Sequence, residues 1–327
     1  MAIHLVYPYD PDRKASAPWS IGHNLGRYLR RQGHHVIQYD WDERQVIQPQ
    51  PGDILIGHPH PEPGKVFRNS VCGPWAFAAS IAPWNGSEEY RGQQEYAWKM
   101  VDHHFAICGA RWSEPDMKRE CNCDGPQGDQ PYTRLDMAID PAPYPLICAP
   151  RPTADRSRVL YIGCTIDHLK GTDRLADLAR KMPTTHFGHI GYGRVQGVQQ
   201  HGYLDLLEEP AQRLIRSYDF LIAPGRHDAN TTTVLEAMCW GLVPIMSKGC
   251  GWGRDVRGFH LPDDEKEWPG AICEAMEAPE SELSTIAKEN RQRAKSHYTW
   301  DRFGSSVNEV IETATGARSC QAQKLSA

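Results

Sequence analysis

Two carboxylates frame a polar loop late in the chain: Asp228 and Glu236, with seven residues between them. The loop runs Arg226-His-Asp-Ala-Asn-Thr-Thr-Thr233. Before it, Asp219-Phe-Leu-Ile-Ala223 is a short apolar run that ends at Pro224-Gly225, which predicts a buried strand and its exit. After it, Val234 to Trp240 are good helix formers and stop at Gly241, a residue suited to the position just past a helix end. A second apolar run, Leu242 to Met246, follows at once. Strand, polar loop, helix start and strand make up a ligand site in an open α/β sheet. Ligands there sit outside the carboxyl ends of the strands and against helix N-termini. Each carboxylate has a plain alternative: Glu236 closes a capping box with Thr233, and Asp228 is a turn residue.

The elements around this loop must come from a chain of 327 residues, long enough for two domains with separate cores. The net charge of −5 gives no bulk basic footprint, so nucleic acid is not an expected partner. Arg27-Tyr-Leu-Arg30-Arg31 is a local basic cluster, read as a solvated helix face. Its sharper reading, an anionic acceptor or membrane surface, allows at most peripheral membrane contact. Ala2 to Tyr7 lacks the basic region and apolar length of a signal peptide, and Pro74 to Trp84 is too short to span a bilayer. A cytoplasmic location is therefore expected, with the ten cysteines reduced. Cys121-Asn-Cys123 has no second pair at zinc spacing, and Asp10-Pro-Asp12 is a turn before it is a metal pair, so no metal is expected.

In chain order, Ile3 to Tyr7 reads as a strand and Trp19 to Arg31 as a helix with Ile21, Leu25, Tyr28 and Leu29 on one face. Gly33-His-His-Val36-Ile37 starts a second strand, and Asp53 to Gly57 is a third that ends in His58-Pro-His60. A histidine there lies at the ligand edge of a parallel sheet, or is simply a polar loop residue. Pro74 to Ala78 and Glu88 to Met100 are expected to be helices, with Trp75, Trp84 and Trp98 as core or cleft walls. His104 to Cys108 is a strand, on which His103 and His104 point to opposite faces. Glu114 to Arg134 is a long polar loop. Three prolines between Pro145 and Pro152 mark a linker, after which Arg158 to Gly163 opens a second strand–helix series. Thr185 to Gly193 is a strand with a glycine turn, Lys248 to Gly253 a glycine-rich loop, and Gly316 to Ala327 a frayed tail.

The stretch from Pro224 to Ile245 resembles the Glu-x7-Glu signature of family 4 glycosyltransferases. Pro224, Asp228 for the first Glu, Glu236-Ala-Met238, Gly241 and Pro244-Ile245 carry the likeness. Ala229-Asn-Thr231 stands where the family has Gly-Phe-Gly. Leu160 to Leu175 is similar to a second family block through Gly163, Lys170, Gly171, Asp173 and Leu175, with Cys164 in place of the family's Arg. The resemblance implies an α/β fold of two Rossmann-like domains facing a cleft (GT-B), with a terminal helix crossing back to the first domain. The expected bounds are 1–147 for an acceptor domain, 148–297 for a nucleotide-sugar domain, 298–315 for the crossing helix and 316–327 for the tail.

The same resemblance implies retaining transfer from a nucleotide-diphosphate sugar, UDP-linked in preference to GDP-linked, to an unidentified hydroxyl acceptor. It implies no cofactor beyond that co-substrate. Lys170, Arg226 and the amides of Thr231, Thr232 and Thr233 would hold the departing diphosphate, since cations and helix N-termini stabilise accumulating negative charge. Glu236 would take the ribose hydroxyls, Asp228 a sugar hydroxyl, and His58 a place near the anomeric centre. Gly163 and Gly22 would let backbone approach the phosphates, and Gly202-Tyr203 would pack the base. An epimerase or phosphorylase on the same architecture and a non-catalytic nucleotide-sugar-binding protein are the alternatives. A dinucleotide oxidoreductase is disfavoured, because no Gly-x-Gly-x-x-Gly follows the first strand.

Overall fold

Parallel strands need crossover connections that cover both sheet faces, so their sequences become near-continuous apolar runs. Ile54-Leu-Ile-Gly57 and Phe220-Leu-Ile-Ala223 are such runs, each buried along its whole length. A computed structural model of the chain describes residues 1–10, 16–83, 95–107, 131–153, 156–253 and 255–325. It divides into two compact units. The first runs to Asp136 and takes the chain back from Trp300; the second spans Met137–Thr299.

The first unit is built on strands β1 (Ile3–Val6), β2 (Val36–Tyr39), β3 (Ile54–Gly57), β4 (Phe77–Pro83), β5 (His103–Ile107) and β6 (Tyr132–Leu135). Among the described residues they form a six-stranded sheet in the order β2-β1-β3-β4-β5-β6, parallel throughout. The first helix, Ala17–Arg31, is capped by Ser16, whose hydroxyl accepts from the Trp19 amide at 3.3 Å. It buries Ile21, Leu25 and Leu29. Two arginines of the basic cluster on this helix are engaged within the unit. Arg30 donates to Gln38 Oε1 at 2.8 Å, and Arg31 pairs with Asp301 of the terminal helix Trp300–Leu325.

Three elements differ from the sequence reading. Pro74 to Ala78 is not helical; the chain enters strand β4 at Phe77, and Trp75 and Trp98 are buried. A short apolar run carries no period that separates a buried strand from a buried helix. The expected polar loop ends earlier than Arg134, since Tyr132–Leu135 pairs with β5. The expected tail is helical to Leu325. Asp12, Trp84, Cys121 and Cys123 lie outside the described residues.

The second unit contains β7 (Arg158–Ile162), β8 (His186–Ile190), β9 (Gln199–Gln200), β10 (Phe220–Ala223), β11 (Val243–Met246) and β12 (Phe259–His260). Its sheet, six-stranded among the described residues, is also parallel, in the order β12-β11-β10-β7-β8-β9. Strand order reverses between β7 and β10, which is where an open α/β sheet leaves a crevice for ligands. The core packs Leu175 and Leu178, Phe187, Phe220, Ile245 and Ile272 together. Residues 137–147 belong to this unit, earlier than the proline-rich linker. The amides of Ile147 and Cys148 both donate to the Trp240 carbonyl, at 3.1 and 2.9 Å, and so tie the segment down. Arg291 closes the same helix end by donating to the Cys239 carbonyl.

Gly22 lies within the first helix, buried, and not at its opening. A Cβ there would overlap the Cβ of Tyr7 on the chain leaving β1. Alanine in place of an ordinary helical glycine stabilises by up to about 1 kcal/mol. Here the overlap with a Cβ, which cannot swing aside, outweighs that gain. Gly22→Ala is expected to cost about 1–3 kcal/mol and lower Tm by a few degrees in thermal unfolding, with UDP affinity unchanged. A variant as stable as the parent, or one with weakened UDP binding, would return Gly22 to the phosphate-binding role.

Candidate functional site

Four connections leave the carboxyl ends of β7, β8, β10 and β11, and three of them are bonded into one body. After β7, residues 167–170 form a single helical turn closed by Gly171 in the left-handed region at φ 67°. A side chain at Gly171 would overlap the Pro224 carbonyl, so glycine is what lets the β7 and β10 connections meet. The amides of Arg226 and His227 donate to the Leu169 carbonyl at 2.9 and 3.3 Å. The connection after β11 closes on the other side. The Asp228 amide donates to Gly249 at 2.8 Å, the Thr231 amide to Cys250 at 3.2 Å, and Trp252 Nε1 to the Thr231 carbonyl at 2.8 Å. The glycine-rich loop thus buttresses the polar loop.

At the centre of this body, Lys170 Nζ donates to both Oδ1 and Oδ2 of Asp228 at 2.7 Å. Thr231 Oγ1 donates to the same carboxylate at 2.7 Å. The structure therefore brings Lys170, Asp228 and Thr231 together. Both members of the ion pair are part-buried, Lys170 at 28% and Asp228 at 13% side-chain exposure. Arg226 lies close by, but its guanidinium is taken. It pairs with both oxygens of Asp173 and donates to the Asp167 carbonyl at 2.8 Å. Hydrogen bonding from Arg226 holds the Asp173 carboxyl below its usual range.

Glu236 departs from the capping reading. The helix is Thr232–Trp240, its N-cap is Thr231, and no side chain caps it. Thr233 is already inside the helix, and Glu236 lies beyond its first turn. The uncapped amides of Thr232 and Thr233 belong to the donors that every helix start leaves over. The stem of Glu236 is partly exposed, whereas its head is enclosed. Oε1 accepts from the Tyr144 hydroxyl at 3.2 Å, and Oε2 has no partner among the described residues. Burial without a cation pushes this carboxyl up to about 7.

The β8 side of the edge is lined by backbone and aromatics. The Gly163 amide donates to Ile190 at 3.0 Å, and Gly191 to the Gly202 carbonyl at 2.9 Å. Side chains at Gly191 or Gly193 would overlap the Gly163 carbonyl or the Thr165 hydroxyl. Tyr203 is exposed and stacks on Tyr192 at 4.7 Å and 14°. Cys164, in place of the family's Arg, is exposed.

His58 follows β3 at the carboxyl edge of the first unit's sheet, as its sequence position predicts. Its ring is enclosed, edge-on to Trp41 at 5.2 Å and to Tyr7 at 6.3 Å, and Nδ1 has no partner among the described residues. Burial lowers its pKa to about 3, so the imidazole is neutral at pH 7.

Two residues of the site carry no sequence signal. Tyr144 stands in a proline-rich stretch. Arg174 sits inside the Thr172–Lys181 helix, yet its guanidinium donates to the Pro224 and Gly225 carbonyls at 3.2 and 3.3 Å and pairs with Glu265. Among the described residues no group of three or more His, Cys, Asp or Glu is placed to hold a metal ion.

No protein-family model matches the sequence, and no curated protein does. Solved structures do. WaaG, a glycosyltransferase involved in lipopolysaccharide biosynthesis, superposes with TM-score 0.61 at 13% identity over 94% of this chain and 99% of that one. A sucrose-phosphate synthase from Thermosynechococcus elongatus gives TM-score 0.67 at 14% identity, over 97% and 100%. HepE from Anabaena, in complex with UDP and glucose, gives 0.62 at 12%, over 96% and 100%. The chain has the GT-B fold. At this identity the likeness shows the architecture, and the chemistry has to come from this chain's own side chains.

A raised carboxyl keeps its proton in the folded protein at a pH where the unfolded chain has lost it. The stability this contributes is full below about pH 4.5 and is lost as pH rises through about 7. Glu236→Gln removes the loss. Denaturant unfolding is expected to show the variant gaining on the parent by roughly 1–3 kcal/mol between pH 5 and 8. A stability difference that does not vary with pH would show that Glu236 is ionised throughout.

His58 gives a second check. Imidazole carbon and nitrogen NMR shifts should stay those of the neutral ring well below pH 6.5, the ordinary histidine value. Protonation near 6.5 would show the ring open to water.

Proposed function

We propose that this protein is a glycosyltransferase that moves a sugar from a nucleotide-diphosphate sugar, UDP-linked in preference to GDP-linked, to a hydroxyl acceptor. The observation that carries the reading is the Lys170–Asp228–Thr231 chain, set beside an uncapped helix start at the strand-order reversal of a parallel sheet. A cation gripped by a carboxylate is a poised anion site. An incoming diphosphate competes for the ammonium, and Asp228 is released to accept a sugar hydroxyl. The enclosed Oε2 of Glu236, without a partner among the described residues, suits a ligand hydroxyl such as those of a ribose. UDP in the HepE structures supports uridine as the base.

In this reading the bond from the anomeric carbon to the phosphate oxygen breaks as the bond to the acceptor oxygen forms on the same face. Configuration is then retained, and the acceptor proton passes to the departing phosphate. Lys170 and the Thr232 and Thr233 amides stabilise the charge that accumulates there. Arg226 contributes only if it leaves Asp173. His58 serves as a neutral hydrogen-bonding group. No metal or further cofactor is part of the proposal. No helix among the described residues is long and apolar enough to cross a membrane.

Calorimetry with UDP and GDP, followed by turnover with a panel of nucleotide sugars and hydroxyl acceptors, tests the reading. UDP binding with no turnover anywhere on the panel would leave a nucleotide-sugar-binding protein. UDP release without acceptor would point to an epimerase or phosphorylase. Lys170→Ala is expected to lower kcat by about 10²–10³ and to weaken UDP binding less than tenfold. Equal losses in both would reduce Lys170 to a ground-state binding residue.

A further inference from the structure

Tyr144 stands between Pro143 and Pro145, and its backbone is fixed from both sides. Pro143 locks its own φ, and Pro145 restricts the residue before it to extended conformations. The Tyr144 amide donates to the Pro141 carbonyl at 3.2 Å, and the Tyr144 carbonyl accepts from Arg291 at 3.2 Å. Further on, the amides of Ile147 and Cys148 hold the Trp240 carbonyl. From this base the ring packs edge-on to Trp240 at 5.4 Å and 62°. Glu236 lies four residues before Trp240 on the same helix, so the two are surface neighbours. A ring laid against Trp240 therefore carries its hydroxyl to the head of Glu236. All of these residues belong to the second unit.

The hydroxyl donates to Glu236 Oε1 at 3.2 Å and so divides the carboxyl into two unlike oxygens. A phenol has one hydrogen to give, and the unprotonated oxygen of a carboxyl is the better acceptor for it. Any proton the group carries then belongs on Oε2. That oxygen is enclosed and has no partner among the described residues. Burial pushes the carboxyl up to about 7, and the Tyr144 bond works against that rise in favour of the ionised form. We infer that Tyr144 is a positioning residue, which holds Oε1 so that Oε2 is the oxygen presented to a ligand hydroxyl. A hydroxyl both donates and accepts, so it bonds Oε2 with or without the proton, whereas an ammonium or a carbonyl suits one form alone. Taking that hydroxyl to be one of the ribose of a nucleoside diphosphate rests on the glycosyltransferase reading. The ring and the hydroxyl of Tyr144 thus have separate roles: the ring packs on Trp240, and the hydroxyl sets Glu236.

Calorimetry on the full chain tests it with UDP and with the dideoxy analogue that lacks both ribose hydroxyls, or with the guanosine pair if guanosine is the base that binds. Tyr144→Phe keeps the ring on Trp240 and removes the hydroxyl. The variant is expected to bind UDP about fivefold more weakly and to bind the dideoxy analogue as the parent does. In a Glu236→Ala background the same change should cost no UDP affinity, because a positioning residue acts through the group it positions. If Tyr144 only supported the fold, phenylalanine would leave both affinities unchanged or lower them alike. Either result overturns the inference, as does a loss that persists without Glu236. Turnover of a sugar nucleotide beside such a result leaves the glycosyltransferase reading standing. A parent that binds neither UDP nor GDP overturns both. A hydroxyl-dependent loss in a protein that turns over no sugar nucleotide sustains the role of Tyr144 and defeats the glycosyltransferase reading.

Discussion

The connections at the carboxyl edge of the second unit's sheet meet at one ion pair. Asp228 holds Lys170 through both oxygens at 2.7 Å, with Thr231 on the same carboxylate. Each partner comes from a different connection, one after β7 and one after β10, so the pair clamps the two edges of the crevice. Breaking this part-buried pair from one side leaves the other charge without its partner. Under the proposed function, an anionic ligand would substitute for Asp228 at the ammonium.

The loops around the pair are rigid for steric reasons. Gly171, Gly249 and Gly251 each stand where a Cβ would meet backbone of the 224–230 connection. These close approaches let amide–carbonyl bonds form between connections that are far apart in sequence, and those bonds place Asp228 and Thr231. The two carboxylates of the motif then differ in surroundings. Asp228 has a cation and a hydroxyl. Glu236 has a tyrosine hydroxyl on one oxygen and no partner among the described residues on the other. Environments this different give two carboxylates different chemical characters on one short stretch of chain.

Much of this was legible from residues alone. The β10–helix–β11 unit could be read from two apolar runs, a glycine stop and a polar insert, because strand burial and helix punctuation are local properties. The importance of Lys170 and Asp228 came with the family likeness, and the structure brings the two together. Glu236 was harder. A Thr-x-x-Glu spacing predicts a cap wherever the helix starts at the threonine. Here the helix starts earlier, at Thr232, and the Thr231 hydroxyl at its N-cap lies on Asp228 and the Cys250 carbonyl instead of capping it. That is a tertiary fact with no trace in local sequence. Tyr144 and Arg174 were invisible for the same reason, since each reaches its partner through the fold. Gly22 is a further case: its place inside the first helix and its packing against Tyr7, which leaves no room for a Cβ, have no trace in local sequence. Pro74 to Ala78 misled because a buried strand and a short buried helix share one composition.

The two sheets follow one plan, parallel strands with a reversal of order, yet their carboxyl edges are furnished differently. In the second unit the edge carries Lys170, Arg226, Arg174 and an uncapped helix start, each cation countered by a carboxylate or a loop carbonyl. Under the proposed function this edge takes the diphosphate. In the first unit the corresponding edge carries Tyr9, Trp19 and His23, with Asp40 and Glu43 at the rim. The sheet topology supplies a crevice in both units without deciding what fills it. The side chains at the strand ends make that decision.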